Sequence, residues 1–504
     1  MGEAAPLTGP DLALGVEGSL LPPGGSLLGH ADGEAVLLVR RGAHVYAVGA
    51  TCTHYGSALA GGAIGDTTVR CPWHHATFDL RTGEALGAPA LRPLPCWAVA
   101  EANGRLTVKG RRSPAPAPPQ LEGPGPASVL LVGAGAAGES AAEELRRRGY
   151  RGPVTLLDPD ADTPLDRPNL SKDNLAGSAP EDWLWLHPDA FYQERQLVRR
   201  RARVTALQPA ERRVGLEDGS QLEYGALLLA TGADPIQPQL PGQGPPVFTL
   251  RRVADLRAIL QVLPGRRRAA VLGASFIGLE AAASLRARDL EVHLAAPDAE
   301  PLIRVLGVQL GAAVRILHQR HGVVFHLGRR AVGLLPGGVA LSDGSLAPGE
   351  LVVAGVGVRP DLALAQAAGL EVDRGVLVDA SQRTSAPGVW AAGDLARVPT
   401  PGDRGLRIEH WAAAQDQGRA AARSMLGLEP LAPRAVPFFW SQHYDVTIAV
   451  VGWAEGWDAV EVEGRPEQLD CVARYRRQGR LVAVATINRD QASLEAHAAF
   501  ERGG

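Results

Sequence analysis

The residues able to do unusual chemistry are few in this chain and their spacing is specific. Its 504 residues include four cysteines. Two of them lie in "TCTHYGSALAGG" and "CPWHHATFDL", giving Cys52-x-His54, sixteen residues, then Cys71-x-x-His74. Two thiolates and two imidazoles can hold zinc or an iron–sulfur cluster. A zinc finger usually groups cysteine with cysteine and histidine with histidine. Here each loop offers one of each. A 2Fe-2S cluster with two cysteines on one iron and two histidines on the other needs two loops that meet, and this alternating supply suits it. A structural zinc site, or buried cysteines beside unrelated histidines, are the alternatives.

A second kind of chemistry is carried by glycine. "VLLVGAGAAGES" places Gly133, Gly135 and Gly138 after an apolar run and before a helical one. The first glycine permits a tight turn and the second lets a pyrophosphate approach the backbone. The third lets helix and strand pack closely. Asp158 ends the next apolar run, 20 residues past Gly138, where an acid binds a ribose hydroxyl. "VLGASFIGLEAAASL" repeats the pattern with Gly273 and Gly278 but has Ser275 in the middle, small enough for close phosphate approach. Of 51 basic residues only Lys109 and Lys172 are lysines, so Lys172 marks a place where a compact ammonium is wanted.

The elements that must position these groups follow from pattern. Residues 30–108 contain short β-type runs between glycine turns, which predicts a small all-β domain. "GRRSPAPAPPQLEGPGPAS" (110–128) excludes regular structure and reads as a semi-rigid linker, reaching about 55 Å at ~3.1 Å per residue. "SVLLVGAGAAGESAAEELRRRGYRGPVTLLDPD" and "AAVLGASFIGLEAAASLRARDLEVHLAAPD" are a duplicated βαβ unit, which predicts two nucleotide-binding domains. That duplication also accounts for the apolar window Ala269–Leu285 as strand, turn and helix, too short and interrupted for a membrane span. From about residue 431 the pattern is strand-like again.

Bulk numbers narrow the class. A net charge of −3 gives no electrostatic case for nucleic acid or an acidic membrane. Four cysteines make no disulfide framework, and the N-terminus lacks a signal peptide pattern. A cytoplasmic protein with no membrane attachment is expected.

The two cysteine boxes resemble the cluster loops of a Rieske domain of the ferredoxin-like branch. That resemblance implies Cys52, His54, Cys71 and His74 as ligands, and leaves out His75, one position too late. With no additional cysteine pair in the loops, it also implies the lower part of the Rieske range, roughly −150 to +300 mV. "DTPLDRPNLSKDNL" resembles the segment that flavin- and pyridine-nucleotide-dependent ferredoxin reductases lay along FAD. On that likeness Arg167 neutralises the pyrophosphate and Lys172 sits near the flavin ring. "LLLATGADP" (Ala230, Thr231, Gly232) resembles the second FAD contact, and "GVWAAGDLA" (Gly393, Asp394) resembles the motif that bonds the ribityl chain. Glu280 matches a glutamate facing that lysine, so a Lys172–Glu280 pair is expected. "RIEHWAAAQDQGRAAARSML" and "PFFWSQHYD" are similar to the flavin-proximal helix and C-terminal domain of oxygenase-coupled reductases and apoptosis-inducing-factor-like flavoproteins, which implies Glu409, His410 and Trp411 at the flavin.

These likenesses imply a Rieske domain (1–108), the linker (109–128), an FAD-binding domain in two parts (129–248, 371–430), an NAD(P)H-binding domain (249–370) and a small α+β C-terminal interface domain (431–504). The two nucleotide domains are α/β Rossmann-like, of glutathione-reductase type. The turn after the second βαβ unit, "AAPDAEPL", has no basic cluster for a 2′-phosphate, so NAD(H) is favoured over NADP(H). Residues 129–430 contain no cysteine, which excludes disulfide chemistry within that region. The expected function is transfer from nicotinamide through FAD to the fused 2Fe-2S cluster. An oxygenase, cytochrome, ferredoxin or quinone would be the external acceptor, and the chain would be a monomer or homodimer. The alternative is an NADH oxidase, quinone reductase or redox sensor in which the Rieske domain is regulatory.

Overall fold

The computed structural model describes residues 7–112, 121, 123–160, 162–400, 403–429 and 436–503. Residues 113–120 and 122 of the proline-rich segment expected as a linker lie outside them. The chain divides into two compact units. One comprises residues 1–123 with 143–150 and 490–504, the other 124–142 with 151–489.

The first unit is built on a six-stranded antiparallel sheet. Its spatial order is Val16–Glu17, Arg105–Arg111, Cys96–Ala102, His44–Gly49, Glu34–Arg41 and Ser26–Ala31. A second sheet of four short strands runs Ala63–Ile64, Thr68–Arg70, Thr77–Asp79 and Ala85–Gly87. Val36 and Leu38 face one cluster of buried residues while Leu37 and Val39 face another, the alternation of a strand packed on both sides. The last strand extends to Arg111, three residues beyond the expected boundary. The terminal helix Asp490–Glu501, expected in the C-terminal domain, belongs to this first unit, where Arg70 pairs with Glu501 at 2.5 Å.

The second unit displays the duplication in its topology. One five-stranded parallel sheet has the order Leu197–Arg201, Val154–Asp158, Val129–Val132, Ala226–Leu229, Val389–Ala391. The other, read in the same direction, is Val323–Leu327, Glu291–Ala296, Arg268–Leu272, Val352–Ala354, Val247–Phe248. Each is accompanied by a three-stranded antiparallel meander, at Val204–Glu223 and Ala331–Pro348. Strands such as Val129–Val132 are buried along their length, as parallel strands with both faces covered must be. The apolar window Ala269–Leu285 is the strand Arg268–Leu272 followed by the helix Phe276–Ala287. Among the described residues no helix is long and apolar enough to cross a membrane. A five-stranded antiparallel sheet, beginning with Phe438–His443 and Val446–Gly452, completes the unit.

Candidate functional site

In both halves of the second unit the glycine turns are dictated by contact. A Cβ on Gly133 would lie 2.3 Å from the Ala230 carbonyl, and one on Gly138 would lie 1.9 Å from the Gly133 carbonyl. In the second half Gly273 would meet the Gly355 carbonyl at 2.4 Å and Gly278 the Gly273 carbonyl at 2.1 Å. These four glycines close the turns rather than line a cavity. Ser275 caps the helix Phe276–Ala287, accepting from the Gly278 amide at 3.2 Å and donating to the Gly355 carbonyl at 2.7 Å. Asp158 accepts from the Ala134 and Asp160 amides at 2.7 and 2.9 Å, so it shapes the first turn while each oxygen keeps a lone pair for a sugar hydroxyl.

A cavity of about 620 Å³ runs between these elements. Its walls include Gly135, Arg167, Lys172, Ala230 and Gly232 from the first half and Ser275 and Glu280 from the second. Gly393, Asp394, Glu409, His410 and Trp411 close another side. Thr231 is exposed and stands outside the wall. Lys172 Nζ lies 3.0 Å from Glu280 Oε1 and donates to the Pro168 carbonyl at 2.8 Å. The Glu280 carboxylate also accepts from Ser171 Oγ and Ser441 Oγ, each at 2.5 Å. Only 4% of Glu280 is exposed, so this triple partnership is what makes a buried acid tolerable.

The cavity's charge and polarity match a dinucleotide. Arg167 and Arg251 both face it, and burial together with Arg251 lowers the Arg167 guanidinium to about 10. Two crowded cations of this kind are relieved by a diphosphate. Asp394 holds Arg251 at 2.8 Å, and Arg407 pairs with Glu409 at 2.6 Å. Burial raises Glu409 and lowers His410 to about 4. His410 Nδ1 is buried with no hydrogen-bond partner among the described residues, an orphan that a polar occupant of the cavity would satisfy. Its ring lies against Phe439 at 4.5 Å, and Phe439, Trp440 and Trp453 line the same wall. Arg251, Arg407 and these aromatics were not anticipated from sequence. No local motif surrounds them, although "PFFW" already offered the aromatic run.

In the first unit the two cysteine boxes fold into matching turns. Cys52 N donates to the Ser57 carbonyl at 2.8 Å and Gly56 N to the Cys52 carbonyl at 3.0 Å. Cys71 N donates to the Ala76 carbonyl at 2.8 Å and His75 N to the Cys71 carbonyl at 3.2 Å. The donors converge two by two. The Cys52 and Cys71 thiols hydrogen-bond to each other, and His54 Nδ1 lies 3.0 Å from His74 Nδ1. The Cys52 hydrogen bond, aided by the His74 and Trp73 amides and Ser57, lowers Cys71 to about 6, toward the thiolate a metal requires. Among the described residues no three or more His, Cys, Asp or Glu side chains are placed to hold one metal ion. A pair of thiolates and a pair of imidazoles is instead the donor set of a dinuclear cluster with one iron per pair. The cysteines are buried and the histidines only partly so, which puts the imidazole pair on the solvent side.

His75, set aside on spacing, is buried beside this site. Its Nδ1 lies 2.8 Å from His497 Nδ1 and its Nε2 lies 3.3 Å from Ser493 Oγ, both on the terminal helix.

Three family models match: pyridine nucleotide-disulphide oxidoreductase over residues 127–418, Rieske 2Fe-2S domain over 17–98, and reductase C-terminal over 438–504. The chain is 33% identical over 478 residues to apoptosis-inducing factor 3 of Mus musculus, covering 90% of this chain and 78% of that one. It is 36% identical over 372 residues to the ferredoxin–NAD(+) reductase component of the anthranilate 1,2-dioxygenase system of Burkholderia cepacia, covering 71% and 90%. Among solved structures, the covalent putidaredoxin reductase–putidaredoxin complex matches with a TM-score of 0.72 and 32% identity, over 74% of this chain and 93% of that one.

Proposed function

The chain belongs to the pyridine nucleotide-disulphide oxidoreductase family, with a Rieske domain fused to it, and on that premise we propose a relay from NADH through FAD to its own Rieske cluster and an external acceptor. It is an NAD(P)H-dependent oxidoreductase with FAD and 2Fe-2S cofactors. The observation that carries the relay is the coexistence of two sites in one chain. One is a cavity walled by both nucleotide-binding halves, and the other is a two-and-two donor set suited to one-electron carriage.

When bound, a flavin takes two electrons from nicotinamide as hydride and gives them up singly, and a 2Fe-2S cluster carries one at a time. The chain supplies the setting. Arg167 and Arg251 neutralise a diphosphate, and the helix behind Ser275 offers its N-terminal amides to the coenzyme's phosphates. Lys172, fixed by Glu280 and the Pro168 carbonyl, holds its ammonium at the cavity wall. Asp394 would bond the ribityl chain, and Phe439, Trp440, Trp453 and Trp411 line the cavity where they would exclude water. Cys52, His54, Cys71 and His74 would hold the cluster, with the partly exposed imidazoles on its solvent side. Two relatives are named as a dioxygenase-system reductase component and a putidaredoxin reductase. By that analogy the acceptor is an oxygenase, cytochrome, ferredoxin or quinone.

Anaerobic stopped-flow mixing with NADH tests the relay. Flavin bleaching followed by cluster reduction within the turnover time is expected. A cluster that stays oxidised after the flavin is fully reduced would overturn it and leave the Rieske domain a regulatory part.

A further inference from the structure

Behind Glu280 a chain of hydrogen bonds leads away from the cavity. Ser441 Oγ donates to Glu280 Oε1 at 2.5 Å, and His443 Nε2 lies 2.9 Å from the same hydroxyl. His443 Nδ1 is 2.8 Å from His318 Nε2, and His318 Nδ1 is 3.3 Å from the Tyr444 hydroxyl. Ser441, His443 and His318 are fully buried, whereas Tyr444 is half-buried under the exposed ring of His321, stacked on it at 3.6 Å. One end of the chain is thus at the cavity wall and the other at the surface.

The direction of each link follows from donor and acceptor chemistry. A carboxylate only accepts. Ser441 therefore donates to Glu280, His443 donates from Nε2 to Ser441, His318 donates from Nε2 to His443, and Tyr444 donates to His318 Nδ1. Each imidazole needs one N–H and one lone pair, its neutral form. Burial keeps both neutral: it holds His318 well below the usual range and, with Lys172, lowers His443 to about 3. The charged and titratable groups around them are Lys172 beside His443, His321 beside His318, and Arg286 near Tyr444. Apolar side chains would fill the same volume with fewer polar groups to satisfy.

We propose that Glu280, Ser441, His443, His318 and Tyr444 form a proton conduit between the Lys172–Glu280 pair and solvent, clearing the proton left by coenzyme oxidation. The conduit rests on the oxidoreductase reading above. With a one-electron acceptor of the iron–sulfur or haem class the overall reaction is NADH + 2 Ox → NAD⁺ + 2 Red + H⁺. Both electrons leave with the acceptors and one proton remains inside. Outward transfer starts once the Ser441 hydroxyl and both imidazoles have turned to the opposite tautomer and the cavity's proton sits on Glu280. The Glu280 O–H bond breaks to Ser441, Ser441 protonates His443 Nε2, His443 Nδ1 protonates His318 Nε2, His318 Nδ1 protonates the Tyr444 oxygen, and the Tyr444 O–H bond breaks to solvent, which restores the resting Nε2–H tautomers.

Two measurements test the conduit. Nitrogen-15 NMR of the FAD-loaded protein should show His318 and His443 as neutral Nε2–H tautomers at neutral pH. A charged imidazole or an Nδ1–H tautomer at either position would overturn the wiring. Stopped-flow with NADH, excess ferricyanide and a pH-indicator dye then follows proton release. In His318→Phe, flavin bleaching should keep its wild-type rate while proton release slows on the order of a hundredfold. Tyr444→Phe, which removes a single hydroxyl, should slow release in the same sense even if His318→Phe does not fold. Wild-type proton release in either variant would refute the conduit. Failure of NADH to bleach the wild-type flavin would instead refute the oxidoreductase reading, and the tautomers would then judge the conduit alone.

Discussion

Gly56 and His75 hold the same place in two turns. Each lies four residues after a cysteine and donates its amide to that cysteine's carbonyl, and each adopts a left-handed backbone, with φ 79° and 60°. Glycine takes this conformation freely, whereas a side chain there costs roughly 1–2 kcal/mol. A Cβ on Gly56 would meet nothing within 4 Å, so the backbone alone decides. Gly56→Ala should lower the thermal midpoint of the Rieske module by a few degrees and leave its EPR signal unchanged, as calorimetry and EPR of the same sample would check.

Cys71→Ser removes one of the two paired thiols. The cluster's EPR signal should vanish while bound FAD stays at one per chain, because no FAD-cavity residue comes from the first unit. Loss of flavin together with the cluster would contradict a two-module arrangement.

Glu280→Gln keeps an acceptor for Ser171 and Ser441 but removes the charge that holds Lys172. Flavin reduction by NADH should slow by about 10²–10⁴-fold, with FAD still bound, if the pair works in proton handling at the flavin. A change below about twofold would make the pair structural.

Coenzyme preference can be tested at one ion pair. Asp298, just past the strand Glu291–Ala296, holds Arg304 at 3.2 Å, and Arg304 lines the cavity. On the proposed NADH preference, the acid would repel a 2′-phosphate and engage the cation that would bind it. Asp298→Asn should raise kcat/KM for NADPH by about tenfold, worth about 1.4 kcal/mol, with little change for NADH.

Acid should destabilise the second unit early. His410 is lowered to about 4 and His443 to about 3, both mainly by burial, from an ordinary value of 6.5. The unfolded chain therefore binds protons below pH 6.5 that the folded one refuses. Stability is full above pH 6.5 and falls as pH drops toward the folded values, by up to about 1.4 kcal/mol per pH unit for each histidine. Calorimetry between pH 7 and 4.5 should show a steady loss of thermal midpoint, and His443→Gln should flatten it.

What the sequence made legible was whatever lies close along the chain. The glycine spacings, the Cys-x-His and Cys-x-x-His boxes and the strand–turn–helix units are each encoded within about twenty residues. Glu280 lies two residues past Gly278, and Lys172 stood out as one of two lysines within a segment resembling the reductases' FAD contact. What spacing could not supply were contacts made across the fold. Arg251 meets Asp394 over 143 positions, and His318 meets His443 over 125. His75 was discarded because C-x-x-H counting ends one residue earlier, yet its partner stands 422 positions away. The terminal helix lies within the expected C-terminal stretch and within the reductase C-terminal match, yet its buried face of Ser493, Leu494 and His497 packs in the first unit.

That helix also imposes an order of events during synthesis. A ribosome completes the cysteine turns early and the helix that covers His75 more than four hundred residues later. At ordinary translation speeds the interval is tens of seconds. Throughout it, His75 lacks the cover that Ser493 and His497 give it in the folded protein. The burial of His75 is therefore one of the last steps in the folding of a unit whose strands are made first.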